Sequence, residues 1–307
     1  MLRKSQHMNA LDPRQTECFV AAVQTGTIRS AAEHLGLEPS TVSRNISALE
    51  TATATTLLER SRNGVRPTEA GSLLLDFIQK QAADLEILQS EFDALANMKR
   101  GNILIAVGEG FVGDLFDRAL RDFNTLYPEI TFGLSVGSTD HVVTQIATEQ
   151  AHLGIAYNVA SDPRLRVEVS AHQPLMALVR KEGRFDTGTP FDLRALSKLP
   201  CAVPPKSFGI GAMIAATEAK RGIRMQALVE TGSIAALKAF VRNDMGFTIL
   251  PQFVVEAELS TGSFAAYPIT SDTFKGGIAS LIRKEGRRLP NAAHLFLRQL
   301  AKMGAFS

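Results

Sequence analysis

Pro39-Ser40-Thr41-Val42-Ser43-Arg44-Asn45-Ile46-Ser47-Ala48-Leu49-Glu50 reads as one helix with two unlike faces. Val42, Ile46 and Leu49 stand four and three residues apart, which lines them along one side of an α-helix, toward a core. Ser40, Thr41, Ser43, Arg44 and Ser47 fall on the other faces and make a short polar surface without an acid. A solvated face usually carries Glu and Lys. A surface of Ser, Thr and Arg offers donors and acceptors to base edges and phosphates, as a helix in the major groove must. Pro39 suits the first helical position, and Glu38 before it favours the helix N-terminus electrostatically although it caps poorly.

The flanking residues support that reading. From Pro13 to Thr25, Phe19, Val20, Ala22 and Val23 recur at helical spacing, and Gly26 stops the run. Thr27 is a natural N-cap for a short helix ending at Leu35 and Gly36, and the small pair Ala31-Ala32 lets two helices cross closely. On the other side, Thr56 to Glu59 and Val65 to Pro67 read as extended pieces joined by a turn at Asn63-Gly64. Such a hairpin behind a recognition helix is a wing. Arg60, Arg62 and Arg66 lie within seven residues, with Glu59 just before them as the nearest acid, and can reach a phosphate or the minor groove. The net charge of +2 does not by itself announce nucleic acid, so the local cluster matters more than the total.

These residues resemble a known family. Ala31-Ala32-Glu33-His34-Leu35, then the stretch Thr41 to Glu50, then Leu57-Leu58-Glu59-Arg60, then Thr68-Glu69-Ala70-Gly71 look like the LysR-type regulator signature, matched in spacing without a gap. The chain departs from the family's usual Leu-Gly at Thr53-Ala54, from its Phe at Leu58, and from its Ser or Thr cap at Glu38. The resemblance implies a winged helix-turn-helix that binds double-stranded DNA, with Ser40, Thr41, Ser43 and Arg44 facing base edges and phosphates, and Arg60 and Arg62 facing the backbone or minor groove.

From the cap residue Thr68 no proline appears before Pro128, and no glycine between Gly71 and Gly101. Leu74, Ile78, Gln81, Leu85, Leu88, Phe92 and Leu95 alternate in steps of four and three, a heptad seam with one polar member. About thirty helical residues make a rod of roughly 45 Å, too long to cover its stripe with a small winged domain. A partner helix is implied, and the resemblance implies the same: a homodimer through helix 68–98, assembled further into a tetramer.

Beyond Arg100-Gly101 strands and helices alternate. The strands are Asn102 to Val107, Thr131 to Val136 and Leu153 to Tyr157; the helices are Asp114 to Tyr127 and His141 to Glu149, giving βαβαβ and a mostly parallel sheet. A second set carries strands at Pro174 to Arg180, Leu199 to Val203, Gln226 to Glu230 and Gly246 to Leu250, with helices at Ile210 to Lys220 and Ile234 to Asn243. Ala279 to Ile282 and the helix Asn291 to Lys302 return to the first set. Two lobes joined by crossing segments form a hinged clamp, and the resemblance implies an effector domain similar to periplasmic binding proteins. The family's Asp-Leu/Ile-Gly/Ala-Ile strand appears as His152-Leu153-Gly154-Ile155, with histidine in place of aspartate, and its late glycine-rich strand as Met245 to Pro251.

Gly108-Glu109-Gly110-Phe111-Val112-Gly113 is a G-x-G-x-x-G between a strand and a helix, the setting of a dinucleotide fingerprint. The next strand ends in Gly137-Ser138-Thr139 without the acid that would hold a ribose, so an NAD-binding oxidoreductase is the second reading rather than the first. Candidate effector contacts sit in loops after strands: Gly110 and Phe111, Ser138 and Thr139, Lys206 and Phe208, Thr231 and Ser233. Lys206 is their only cation, and with an open helix N-terminus it favours a small organic acid.

The rest of the composition excludes alternatives. Six scattered histidines form no metal or catalytic spacing, and Cys18 and Cys201 are far apart, each in apolar surroundings. No apolar run is long enough to span a membrane, and no apolar signal segment follows the basic first residues, so the expected address is the cytoplasm. The chain reads as a non-enzymatic, cofactor-free regulator with three parts: an all-α winged helix-turn-helix (1–67), a linker helix (68–100) and an α/β two-lobed effector domain (101–307), its lobe I 101–160 and 267–307 and its lobe II 161–266.

Overall fold

A computed structural model describes residues 11–61, 64–95 and 100–306. Two compact units share the chain, with the boundary after Leu85. The first holds helices α1 (Pro13–Thr25), α2 (Ile28–Leu35) and α3 (Pro39–Thr53), then strands β1 (Leu58–Ser61) and β2 (Gly64–Pro67), then the start of α4 (Glu69–Leu95). Asp12 caps α1 and Thr27 caps α2 through their side-chain oxygens, whereas Glu38 makes no side-chain cap bond at α3. Phe19, Ala22, Ala31, Ala32, Val42, Ile46 and Leu49 form the core, each large side chain contributing about 1.5–3 kcal/mol by leaving water. The antiparallel wing pairs Leu58 with Pro67, so its first strand starts two residues later than the sequence pattern indicated. Gly64 is required there. Its φ is +120°, and a Cβ would overlap the Gly26 carbonyl oxygen that accepts from the Val65 N–H.

The second unit runs from Glu86. Lobe I contains β3 (Gly101–Gly108), α5 (Val112–Asp114), a π-helical stretch (Leu115–Leu120), α6 (Arg121–Leu126), β4 (Ile130–Gly137), α7 (Thr139–Ala147), β5 (Leu153–Tyr157) and β6 (Leu165–His172). Lobe II follows with β7 (Leu175–Arg180), α8 (Leu193–Leu196), β8 (Pro200–Val203), α9 (Gly209–Arg221), β9 (Gln226–Glu230), α10 (Ile234–Arg242), β10 (Phe247–Pro251), α11 (Glu256–Ser260), β11 (Phe264–Pro268) and α12 (Asp272–Lys275). The chain then returns to lobe I through β12 (Ile278–Lys284) and α13 (Asn291–Leu300). The lobe I sheet has the order β4-β3-β5-β12-β6 and the lobe II sheet β11-β7-β10-β8-β9.

Three sequence expectations change. Lobe I extends to His172 rather than stopping at 160, because β6 pairs antiparallel with β12, and it resumes at β12 rather than at 267, because β11 pairs with β7 of lobe II. Each sheet is mixed: β3 runs parallel to β4 and β5 while β12 opposes β5, and in lobe II β7 opposes β10. Finally, the linker is not a part of its own. Leu74, Leu75 and Ile78 pack against the winged core, and from Glu86 onward α4 is bound to the effector domain, with Ser90 Oγ accepting from the Asn291 N–H at 3.0 Å. Among the described residues no helix is long and apolar enough to cross a membrane.

Candidate nucleic-acid surface and effector cleft

On α3, Ser40 and Arg44 are exposed and Thr41 and Ser43 half-buried, all turned away from the core residues Val42, Ile46 and Leu49. Arg44 lies along its own helix, its Nε donating to the Ser40 carbonyl (3.3 Å) and its Nη2 to Thr41 Oγ1 (3.3 Å). From the wing, Arg60 Nη1 donates to Ser43 Oγ at 3.2 Å, which puts wing and helix on one polar surface. Arg62 lies outside the described residues. The wing is also tied to α3 from below, because Glu50 Oε1 accepts from the Leu57 and Leu58 N–H groups (2.9 and 3.2 Å). Glu50 closes the quoted helix motif, and nothing in its local sequence points to this role.

In the second unit a narrow cleft with a cavity of about 40 Å³ lies between the lobes. Its floor is built from the carboxyl ends of strands: Gly108 at the end of β3, Gly137 at the end of β4, Tyr157 at the end of β5, Pro204 after β8, Gly232 after β9 and Pro251 at the end of β10. Parallel strands leave such a crevice where their connections diverge. Four of the eight expected effector contacts line it: Gly110, Phe111, Thr139 and Phe208. The other four do not. Ser138 Oγ accepts from the His141 N–H and caps α7, Thr231 Oγ1 accepts from the Ser233 N–H, and Ser233 Oγ accepts from the Ala236 N–H and caps α10. Lys206 borders a separate groove beside α9, with Glu218, Arg224 and Glu230. Loop hydroxyls next to a helix start are occupied by the helix.

Two lobe-to-lobe bonds cross the cleft. Glu109 Oε1 accepts from the Ile234 N–H at the start of α10 (2.9 Å). Thr139 Oγ1 accepts from the Gly209 N–H at the start of α9 (2.9 Å) and donates to the Tyr157 carbonyl (3.1 Å). Phe111 of lobe I stacks tilted on Phe253 of lobe II with ring centroids 5.0 Å apart, and at the lobes' flank Arg118 Nη2 meets Glu256 Oε2 at 2.7 Å. The N-termini of α9 and α10 at the cleft therefore already have an oxygen from the opposite lobe. Sequence reasoning missed Glu109, which sits inside the glycine motif that was read only for its glycines, and missed Phe253, two residues beyond the recognised Pro251. The glycine motif itself opens a helical turn, Glu109–Phe111, leading into the short α5, and it lines the interlobe cleft.

Comparison with known proteins agrees with this architecture. Residues 13–72 match the model of the bacterial regulatory helix-turn-helix protein, lysR family, and residues 96–305 match the LysR substrate binding domain. The HTH-type transcriptional activator CmpR of Synechocystis sp. is 26% identical over 260 residues, spanning 83% of this chain and 84% of that protein. A full-length OxyR variant from Pseudomonas aeruginosa superposes with a TM-score of 0.66 at 15% identity, covering 95% of each chain. Full-length CbnR complexed with its target DNA gives 0.53 at 21% identity, covering 94% of this chain and 98% of that one. With both the winged segment and the two-lobed domain matched over most of its length, the chain belongs to the LysR family of transcriptional regulators.

Proposed function

We propose that this regulator binds a specific DNA site through α3 and the wing, as a homodimer paired along α4 and assembled into a tetramer in the cytoplasm, and that a small molecule in the interlobe cleft controls it. The observation that carries the DNA reading is the Arg60–Ser43 contact, which joins the wing to an acid-free helical surface made of Ser40, Thr41, Ser43 and Arg44. The exposed apolar residues Leu85, Leu88 and Phe92 along α4 support the pairing. An effector that favours one interlobe angle would bias the arrangement of subunits, and with it DNA spacing or bending, by its differential affinity for two states. The acidic effector expected from Lys206 loses that cation as a contact, since Lys206 borders a separate groove.

Operator footprinting with selected binding sites tests this. Arg44→Ala should cost about 1–3 kcal/mol and relax sequence preference, and Arg60→Ala should weaken all sequences alike and lower the salt slope by about 1. Unchanged footprints for Arg44→Ala, and for a variant with Ser43 and Arg44 both made Glu, would end the reading.

A further inference from the structure

We propose that the cleft takes a ligand bearing an ammonium group, with Glu109 as its counter-ion. The inference rests on the cleft being the effector site. Among the described lining residues Glu109 is the only one with a charged side chain. It stands half-buried at the end of β3, and its Oε1 is held by the Ile234 N–H, so the carboxylate is fixed at the positive end of α10. Its Oε2 has no protein partner among the described residues and is left to accept from a ligand donor. The walls around it are aromatic and aliphatic: Phe111, Phe208, Phe253, Ile234 and Val254. Ring faces carry negative potential, and a carboxylate among them is the chemistry that recognises an organic cation.

The opposite charge fits poorly. A ligand carboxylate would lie beside Glu109 in a partly dry cleft, where like charges repel more strongly than in water. The first amides of α9 and α10, at Gly209 and Ile234, already bond to Thr139 and Glu109. The ligand's apolar body would face the rings while its ammonium meets Glu109.

Calorimetric titration of the full chain tests this with three series matched in shape, a primary ammonium, an amide and a carboxylate, each on phenyl, cyclohexyl and butyl bodies. Ammonium members should bind at least about tenfold tighter than their carboxylate counterparts. Glu109→Gln keeps an acceptor for the Ile234 N–H and removes the charge. It should weaken ammonium binding about 10- to 100-fold and level the three series. Carboxylates binding tighter than ammonium ions, or E109Q retaining full ammonium affinity, overturns the inference and leaves the cleft as effector site intact. If no member of any series binds while operator DNA is still bound, both readings fall. Should E109Q not fold, the ranking of the three series on the unmodified chain decides.

Discussion

His152 Nε2 lies 3.0 Å from Glu86 Oε2, while His152 Nδ1 accepts from the Leu104 N–H at 3.0 Å. The two contacts define the ring chemically. Nδ1 must be bare to accept, so Nε2 carries the hydrogen and donates it to the carboxylate. A fully buried neutral imidazole thus links β3 of lobe I to the effector-domain end of α4. Arg287 joins from a third direction, its Nη1 donating to the Ala151 carbonyl at 2.9 Å and its Nη2 to Glu86 Oε2 at 3.5 Å. Where the family usually has aspartate, this chain has a donor that Glu86 needs.

Restoring the family residue should therefore harm this chain. His152→Asp would bury a carboxylate against Glu86 with no proton between them, at a cost of about 3 kcal/mol in urea unfolding. Adding Glu86→Gln should recover part of that loss, because an amide can donate where the carboxylate could not. An H152D variant as stable as the parent would show that Glu86 does not depend on the imidazole.

The same pair sets a pH dependence. Burial acts to raise the Glu86 carboxyl, but the hydrogen bond from His152 and the charge of Arg287 outweigh it and hold the group below its ordinary range. A carboxyl that is more acidic folded than unfolded stabilises the fold above the ordinary glutamate range, and that contribution is lost as pH falls from that range down through the lowered folded value. Glu86 is 36% exposed, so water screens the effect to less than about 1 kcal/mol. Unfolding measured from pH 7 to pH 3 should show E86Q losing less stability than the parent. Parallel curves would mean that Glu86 is not the group responsible.

Ala54 ends α3 in the left-handed region, at φ +50° and ψ +33°, where the family usually places glycine. A Cβ is strained there, whereas glycine is not, so Ala54→Gly should stabilise the winged unit by about 0.5–1 kcal/mol after allowing for the freer unfolded chain. A lower melting temperature for A54G would contradict the strain argument.

Leu85, Leu88 and Phe92 are exposed along α4 while Leu74 and Ile78 are half-buried against the winged core, so the heptad seam serves two purposes along its length. The side chain of Leu95, the seam's last member, lies outside the described residues. Leu88→Asp should leave each unit folded, since the site is solvated in one chain, and should move the sedimentation coefficient to that of a monomer. Oligomers that persist in L88D and in Phe92→Asp alike would place the subunit contact elsewhere.

How legible each part was follows from burial and from where polar groups are satisfied. The α3 core positions and the strand β5, buried on both faces, wrote themselves as apolar spacing or as an apolar run. β6 and β11 are edge strands, and β6, Leu-Arg-Val-Glu-Val-Ser-Ala-His, alternates charge with short apolar residues and offers no run to notice. Lacking such a run, neither strand marks the lobe boundary in the sequence. In the cleft, the glycine-rich loop and Phe208 were visible because unusual residues punctuate a strand end. Ser138 and Ser233 looked equally eligible, since a hydroxyl that caps a helix and one that meets a ligand have the same local sequence. Glu109 bonds to a residue far along the chain, and no local pattern encodes such a partnership.

Gly209 bears on whether the closeness of the lobes matters in itself. Its N–H reaches Thr139 Oγ1 at 2.9 Å, and the same hydroxyl donates to the Tyr157 carbonyl, so one lobe I threonine bridges the first residue of α9 to the end of β5. A Cβ on Gly209 would overlap the Tyr157 carbonyl oxygen. Its backbone is not left-handed, so the cost of Gly209→Ala is the approach between lobes rather than local strain. The variant should hold the cleft open, which spin labels placed on the two lobes would register as a longer distance, and should weaken cleft ligands about tenfold or more by parting Phe111 from Phe253. Thr139→Val removes the bonds without the bulk and should open the cleft less. Unchanged distances and affinities in G209A would mean that the lobes hold together without this contact, and that their closure has to be sought at the Arg118–Glu256 pair instead.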